Sequence, residues 1–390
     1  MRLQTRSLIS VIKEHGGLIQ TGPFGSQLHQ SEYTDEGIPA VMPKDIKEGR
    51  IDETSVARVS KEKAAQLSRH LLKPHSIVFP RRGNISKCAY IEASQAGFLC
   101  GTGCIKIEVP STVILPKFLY YYLGLSHVVE WLERNAVGTT MLNLSAAILG
   151  RLPVPELSID RQRSIVEVLS AYDDLIENNR RRIQLLEEAA RLLYKEWFVH
   201  LRFPGHEHVT ITDGVPEGWE VKTLGDVVEL KRGKYITKAL AINGDVPVIA
   251  GGLKPAYFHH VANVAGPVIT ISASGANAGF VNLYHEDIWA SDCSYIDVES
   301  TDFIYYFYLL LESRQRELFG LQRGAAQPHV YPKDLIRLRF VCAPHSIVSV
   351  FEDEVSTSFG LVKNLASQNT LLASARDLLL PRLMNGEVVV

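Results

Sequence analysis

The sequence predicts a mixed α/β protein of the α+β kind. Two β-rich bodies with short helices are expected, separated by two long antiparallel coiled-coil-like helices and related by an internal pseudo-two-fold repeat. Three observations carry this expectation. The stretch from Asp160 to Phe198 keeps strict heptad time over an unusual length. Short apolar runs, punctuated by glycine, proline and polar turn residues, fill the segments on either side of it. The second half of the chain then repeats the order of the first. With 390 residues the chain has room for two or three bodies, each with a core of its own.

From the N-terminus, residues 1–20 read as helical through Leu8, Ile9, Val11 and Ile12, until Gly16 and Gly17 interrupt the run. Between Leu18 and Val109 short apolar strands alternate with turns: LIQTGPFGSQL, IPAVMP, SIVFPRR, GNISKCAYIE and CIKIEV. Pro116 opens an amphipathic helix, KFLYYYLGLSHVVEWLERN, and Pro153 with Pro155 closes a first body spanning residues 1–153.

A long-helix region follows at residues 154–203. Ile165, Leu169, Tyr172, Ile176, Asn179, Ile183, Leu186, Ala190, Leu193 and Trp197 step alternately by four and three onto one narrow seam, which only Asn179 interrupts. Charged residues, Glu177, Arg180 to Arg182, Glu187, Glu188 and Arg191 among them, crowd the other faces. At 1.5 Å per residue the helix runs about 58 Å, more than the diameter of a small domain.

The second body, residues 204–341, opens with VPEGWEVKTLGDVVELKRGK. It continues through the strands VPVIAGG, PVITISASG, GFVNLY and YIDV, the helix FIYYFYLLLESRQREL and the segment GAAQPHVYPKDLIRLRF. Laying Gly138 on Gly324 carries Leu149 onto Leu335, Leu152 onto Leu338 and the run Tyr120 to Tyr122 onto Tyr306 to Tyr308. Earlier matches need slightly larger offsets: Gly22 with Gly233, Gly83 with Gly275, Cys104 with Cys293.

Residues 342–390 form the second long-helix region. Its seam, Phe351, Val355, Ser358, Val362, Leu365, Asn369, Leu372, Arg376, Leu379 and Leu383, is the counterpart of the first and supplies the helix against which that seam packs. In an antiparallel pair the register that lets the two polar seam residues meet sets Asn179 on Asn369, Ile183 on Leu365, Tyr172 on Arg376 and Trp197 on Phe351. A lone buried amide costs about 1–3 kcal/mol, enough to disfavour a one-heptad slip.

Composition narrows the function. At 46% hydrophobic and 22% charged residues this is an ordinary globular composition. No apolar run approaches a membrane span and the N-terminus lacks a signal-peptide core, so a cytoplasmic protein is expected. Five cysteines at irregular spacings argue against a disulfide framework. Cys100 and Cys104 lack a second pair for zinc, and the histidines give no ligand spacing beyond the adjacent His259 and His260, so no metal site is expected. The glycine-rich GANAG at residues 275–279 sits among strand residues and is not a phosphate loop. Walker, His-Glu-x-x-His, Gly-x-Ser-x-Gly and Asn-Pro-Pro-aromatic motifs do not occur, and no catalytic residue is assigned.

Polar chemistry suited to nucleic acid remains. A net charge of −2 is low for a nucleic-acid binder, but the cations are clustered. In each half three turn segments mix small residues with basic or amide side chains. In the first half they hold Gln20, Thr21 and Ser26; Arg81, Arg82, Asn84 and Lys87; and Thr139, Thr140 and Asn143. The second half has Lys231, Arg232, Lys234 and Tyr235; Ser274 and Asn277; and Arg323, Gln327 and His329. Glycine lets backbone approach a phosphate, while Arg, Asn and Gln pair bidentately with base edges. Recurrence at matching places points to a binding edge in each half.

With these segments in view, the chain resembles the DNA-specificity subunit of a type I restriction-modification system. The resemblance covers nearly the whole chain and is carried by LSAAILGRLPVPELSIDRQRSIVEVLSAYDDLIENNRRRIQLLEEAARLLYKEWF, by PEGWEVKTLGDVVELKRGK, and by GAAQPHVYPKDLIRLRF with the later LLLPRLMNGEV. It implies two target-recognition domains, each reading half of a bipartite double-stranded DNA site, with the helices setting the spacer. It also implies two methylation subunits and restriction motor-nuclease subunits as partners. S-adenosylmethionine, ATP and Mg would then belong to those partners, with no cofactor in this chain. The first half departs from the pattern by lacking the Gly-Trp opening seen at Gly218 and Trp219. An independent two-half-site DNA-binding regulator and a self-sufficient methyltransferase are the alternatives. Co-purification of methylating subunits, or S-adenosylmethionine binding by the isolated chain, separates them.

Overall fold

A computed structural model describes residues 4–47, 49–138, 142–324 and 326–388. The chain forms two compact units: one holds residues up to Ile176 together with those from Leu371 onward, the other Glu177–Thr370. Each unit thus takes part of both long helices.

In the first unit a four-stranded antiparallel sheet has the order Leu18–Thr21, Cys104–Glu108, Ile77–Pro80, Ala89–Tyr90. A second sheet runs Leu99–Cys100, Ile38–Val41, Ala57–Val59, Tyr33–Thr34, its first pair parallel. Thr5–Ser7 pairs antiparallel with Pro153–Pro155 and so ties the start of the body to its end. Alternation sends Ile77, Phe79, Ile105 and Ile107 to one face, where they share a core with Phe118, Leu119 and Leu149, and with Ile165, Leu169, Leu380 and Leu383 of the long helices.

The second unit repeats this topology. Its main sheet runs Lys231–Arg232, Cys293–Ile296, Val268–Ser272, Val281–Tyr284. Its second sheet, Tyr257–His259, Val246–Ile249, Trp289–Ala290, again contains one parallel pair. Glu220–Thr223 pairs with Arg339–Cys342 as Thr5–Ser7 does with Pro153–Pro155.

Three local expectations are corrected. The N-terminal stretch is not one helix: a helix at Leu8–His15 lies between the strands Thr5–Ser7 and Leu18–Thr21, because Gly16 and Gly17 at φ of 86° and 129° end it. The helix opened by Pro116 divides into Pro116–Leu123 and Ser126–Asn135, since Leu125 is extended. Its counterpart divides into Ile304–Ser313 and Gln315–Gly320 at Arg314, whose guanidinium donates to the Arg339 carbonyl at 2.6 Å.

The central helix spans Ile159–Tyr194 and closes in one π turn, Lys195–Val199; the C-terminal helix spans His345–Asn385. They pair antiparallel within each unit. In the first, Arg376 Nη1 meets Asp173 Oδ1 at 2.6 Å, and Ile165 shares a core with Leu383. In the second, the rings of Trp197 and Phe351 lie 5.5 Å apart.

No seam residue is exposed: Ile165, Leu169, Ile176, Asn179, Trp197, Phe351, Val355, Val362, Leu365 and Leu383 are buried, and Ile183, Leu186, Leu193, Asn369, Leu372 and Leu379 half-buried. The polar contacts differ in detail from those expected. Asn179 Nδ2 donates to Gln368 Oε1 at 3.5 Å, whereas Asn369 Oδ1 has no hydrogen-bond partner among the described residues. The longer glutamine reaches the seam from the flank. Arg376 likewise binds Asp173 and not Tyr172, because the neighbouring carboxylate draws its guanidinium.

Cys88, Cys100, Cys104 and Cys293 are buried and free, and burial pushes the thiols of Cys88, Cys100 and Cys293 up to about 12. Among the described residues no group of three or more His, Cys, Asp or Glu could hold a metal ion, and no helix is long and apolar enough to cross a membrane.

Candidate nucleic-acid interface

In the first unit the three sequence-distant turns converge. Arg81 closes the strand Ile77–Pro80: its N–H donates to the Gly103 carbonyl at 2.6 Å and its carbonyl accepts from Leu144 N–H at 2.8 Å. Gly83, at φ 81°, turns the chain and donates to the Leu142 carbonyl at 3.2 Å. Arg82 and Val137 each bridge to Asn143, and Arg81 Nε donates to Asn143 Oδ1 at 3.3 Å. The Arg81 guanidinium also lies 5.7 Å from the centroid of the Phe24 ring, which joins the turn at Gln20–Ser26 to the cluster.

Within this cluster Ser26, Arg82, Asn84 and Lys87 are exposed, while Gln20 and Thr21 are half-buried in a strand paired with Lys106 and Ile105. Thr139 and Thr140 lie outside the described residues.

The second unit builds the same frame from different side chains. Ala273 N–H donates to the Asp292 carbonyl at 3.1 Å, Val330 N–H to the Ala273 carbonyl at 3.0 Å, and Gly275, at φ 83°, to the Pro328 carbonyl at 2.9 Å. Ser274 and Arg323 both bridge to His329. Each of these contacts is the counterpart of one in the first unit.

The charges are handled differently. Lys231 Nζ sits 2.9 Å from both Asp297 and Glu299, which hold its ammonium well above the usual lysine range. Lys231 therefore braces the strands, and its charge is neutralised within the fold. Arg232 pairs with Asp292 at 2.9 Å, and Asp292 also accepts from the Ser274 hydroxyl. Arg323 pairs with Asp334 at 2.8 Å. Lys234, Tyr235, Lys238 and Gln327 are exposed. Asn277 and His329 are half-buried, the latter stacked 6.1 Å from Tyr331. Sequence reading found the cations but not Asp292, Asp297 and Asp334. These acids are remote in sequence from the cations they meet and carry no local signal.

The arrangement defines a duplicated recognition protein: one frame, built twice, presenting three turns of polar and basic side chains in each unit. Residues 25–188 and 216–340 match the type I restriction modification DNA specificity domain, and the chain belongs to that family. It is 25% identical to the type I restriction enzyme MjaIX specificity subunit of Methanocaldococcus jannaschii, over 92% of this chain and 88% of that one. It is 21% identical to the HindI specificity subunit of Haemophilus influenzae, over 79% and 85%. The fold is shared with the crystal structure of the type I restriction-modification S subunit from M. genitalium, with a TM-score of 0.57 at 18% identity over 98% of this chain and 96% of that one.

Proposed function

We propose that this chain is the DNA-reading subunit of a type I restriction-modification complex. Each unit reads one half of a bipartite double-stranded site through its three convergent turns, and the chain directs two methylation subunits and restriction motor-nuclease subunits to that site in the cytoplasm. The observation that carries this reading is the recurrence, contact for contact, of the backbone frame around Gly83 in the frame around Gly275. Exposed Arg82, Asn84 and Lys87 in one unit, and Lys234, Tyr235 and Gln327 in the other, are placed to meet phosphates and base edges. On this reading the chain is not itself catalytic, and S-adenosylmethionine, ATP and Mg are bound by the partners.

The long helices support a duplicated partner. In the first unit Leu175, Leu371 and Leu378 are exposed; in the second, Leu361, Leu185 and Leu192 are. Laying Gly138 on Gly324 carries Leu175 onto Leu361, Leu185 onto Leu371 and Leu192 onto Leu378, so the exposed leucines match position by position. Each directly precedes a seam residue, and together they give each unit an apolar flank suited to a partner helix.

The test is to sequence the methylome of cells with and without the chain and to identify what co-purifies with it. Loss of one bipartite methylated motif together with recovery of methylation subunits supports the proposal. An unchanged methylome in cells with active partners overturns it.

A further inference from the structure

In the first unit the chain passes from the strand Leu18–Thr21 to the buried Gly22, whose N–H donates to the Cys104 carbonyl at 2.9 Å, and comes out to the surface at Phe24. A Cβ there would strike the Gly101 carbonyl, so the chain lies flat on the sheet. Two residues later comes Phe24, whose N–H donates to Gln27 Oε1 at 3.2 Å and whose carbonyl accepts from Gln27 N–H at 2.8 Å. The backbone is fixed on both sides, yet the Phe24 side chain is 54% exposed.

The second unit does the same with another aromatic. Gly233 N–H donates to the Cys293 carbonyl at 2.9 Å, and a Cβ on Gly233 would strike the Ser291 carbonyl. Two residues later stands Tyr235, 74% exposed. Its neighbours are pinned: the Lys234 carbonyl accepts from Trp289 Nε1 at 2.8 Å, and Ile236 N–H donates to Ser291 Oγ at 3.2 Å.

Exposed apolar side chains are common on protein surfaces, but here an aromatic ring on a pinned backbone recurs at one structural position in both units. In the first unit the Arg81 guanidinium lies over the Phe24 ring; in the second, exposed Lys234 precedes Tyr235 in the chain. A rigid aromatic flanked by a cation suits a ligand with flat apolar faces and a phosphate backbone.

We infer that Phe24 and Tyr235 are a matched pair of base-contacting residues, each laying its ring against the bases of its own half-site while the adjacent cation meets the backbone. The inference rests on the DNA-reading function proposed above and adds to it Phe24 and, for Tyr235, contact through the ring in place of hydrogen bonding. The ring is the functional part, so the tyrosine hydroxyl is dispensable.

The test uses the full chain assembled with its methylation subunits, with binding measured by selection and sequencing over a library randomised through both half-sites. Phe24→Ala should lower discrimination about 10-fold at one or two positions of one half-site only, where the ring meets a thymine methyl or a deformable base step, and Tyr235→Ala should do so in the other. Tyr235→Phe should behave as the native protein. The salt dependence of binding should be unchanged in all three, since no phosphate contact is lost. Both side chains are more than half exposed and Phe24→Ala loses only the surface contact with Arg81, so the variants should stay folded, which melting checks first. Uniform weakening over all sequences, a reduced salt slope, or unchanged discrimination in a folded variant overturns the inference. Failure of the native complex to select any sequence overturns the DNA-reading proposal itself.

Discussion

Glu352 offers a direct measure of what holds the C-terminal helix to the second body. Its side chain is buried, and its carboxylate accepts from Tyr305 N–H at 3.0 Å and Tyr306 N–H at 2.8 Å, in the first turn of the helix Ile304–Ser313. Burial pushes its carboxyl from 4.5 up to about 7, and the charge of Asp353 acts in the same direction against the two amide donors. Between those values the folded protein keeps a proton that the unfolded chain has released. Stability therefore falls as pH rises through the window and is level on either side of it. At 1.36 kcal/mol per unit the full window is worth about 3 kcal/mol.

In the first unit Gln162, at a position that does not correspond to Glu352, ties the long helix to the body without a titrating group. Its Oε1 accepts from Leu115 N–H at 2.8 Å, just before the helix Pro116–Leu123, and its Nε2 donates to the carbonyls of Val113 and Leu157, each at 2.9 Å. Glu352→Gln removes the titration and keeps one of the two acceptors, so it lowers stability by an amount that does not vary with pH and serves as the reference. In thermal melts of the full chain from pH 5 to 8, the transition containing the second unit should fall in the native protein relative to the variant. For a unit of this size about 3 kcal/mol corresponds to roughly 6–12 °C. Parallel profiles, or a native protein that gains on the variant as pH rises, would refute the reasoning, because the amides and the positive end of the helix would then outweigh burial.

Further outcomes follow from the site and the seam. Lys231→Met leaves the buried Asp297 carboxylate with only its Ser300 donors and should cost about 1–3 kcal/mol in denaturant melts while leaving base preference intact. Arg82→Ala should alter selection in one half-site and Arg232→Ala in the other, by about 1–3 kcal/mol where a base is read; equal weakening on all sequences would assign that residue to the phosphates. In a background without native cysteines, Asn179→Cys with Asn369→Cys should crosslink under mild oxidation, and Asn179→Cys with Val362→Cys should not, since a disulfide needs Cα atoms within about 7 Å. The opposite pattern would break the register.

The parts legible in the sequence are those with a local cause. Heptad spacing follows from helix geometry alone, so the seam from Ile165 to Trp197 could be read without a partner in view. Gly22 and Gly233 were visible as a repeat because no other residue fits where a carbonyl lies so close. What escaped was decided across space. Whether Lys231 is free depends on Asp297 and Glu299, brought to it by strand pairing. That Gln368 answers Asn179 depends on how far a flanking side chain reaches over the seam. The break at Leu125 came from an extended residue inside a run whose apolar spacing still looked helical.

The duplication is preserved unevenly, and the unevenness bears on function. At the convergent turns the backbone contacts recur in both units, but Arg81 and Arg82 face Ala273 and Ser274 at equivalent positions, and Phe24 faces Tyr235. A frame held by main-chain hydrogen bonds does not depend on the side chains it displays, so those side chains are free to differ without disturbing the fold. Two identical readers would require a repeated half-site. Two matched frames with unmatched side chains require, on the proposed function, a site whose halves differ in sequence. The exposed leucines of the long helices show the contrary pattern, the same residue at each matched position, as the proposed function expects if each unit meets a copy of one partner.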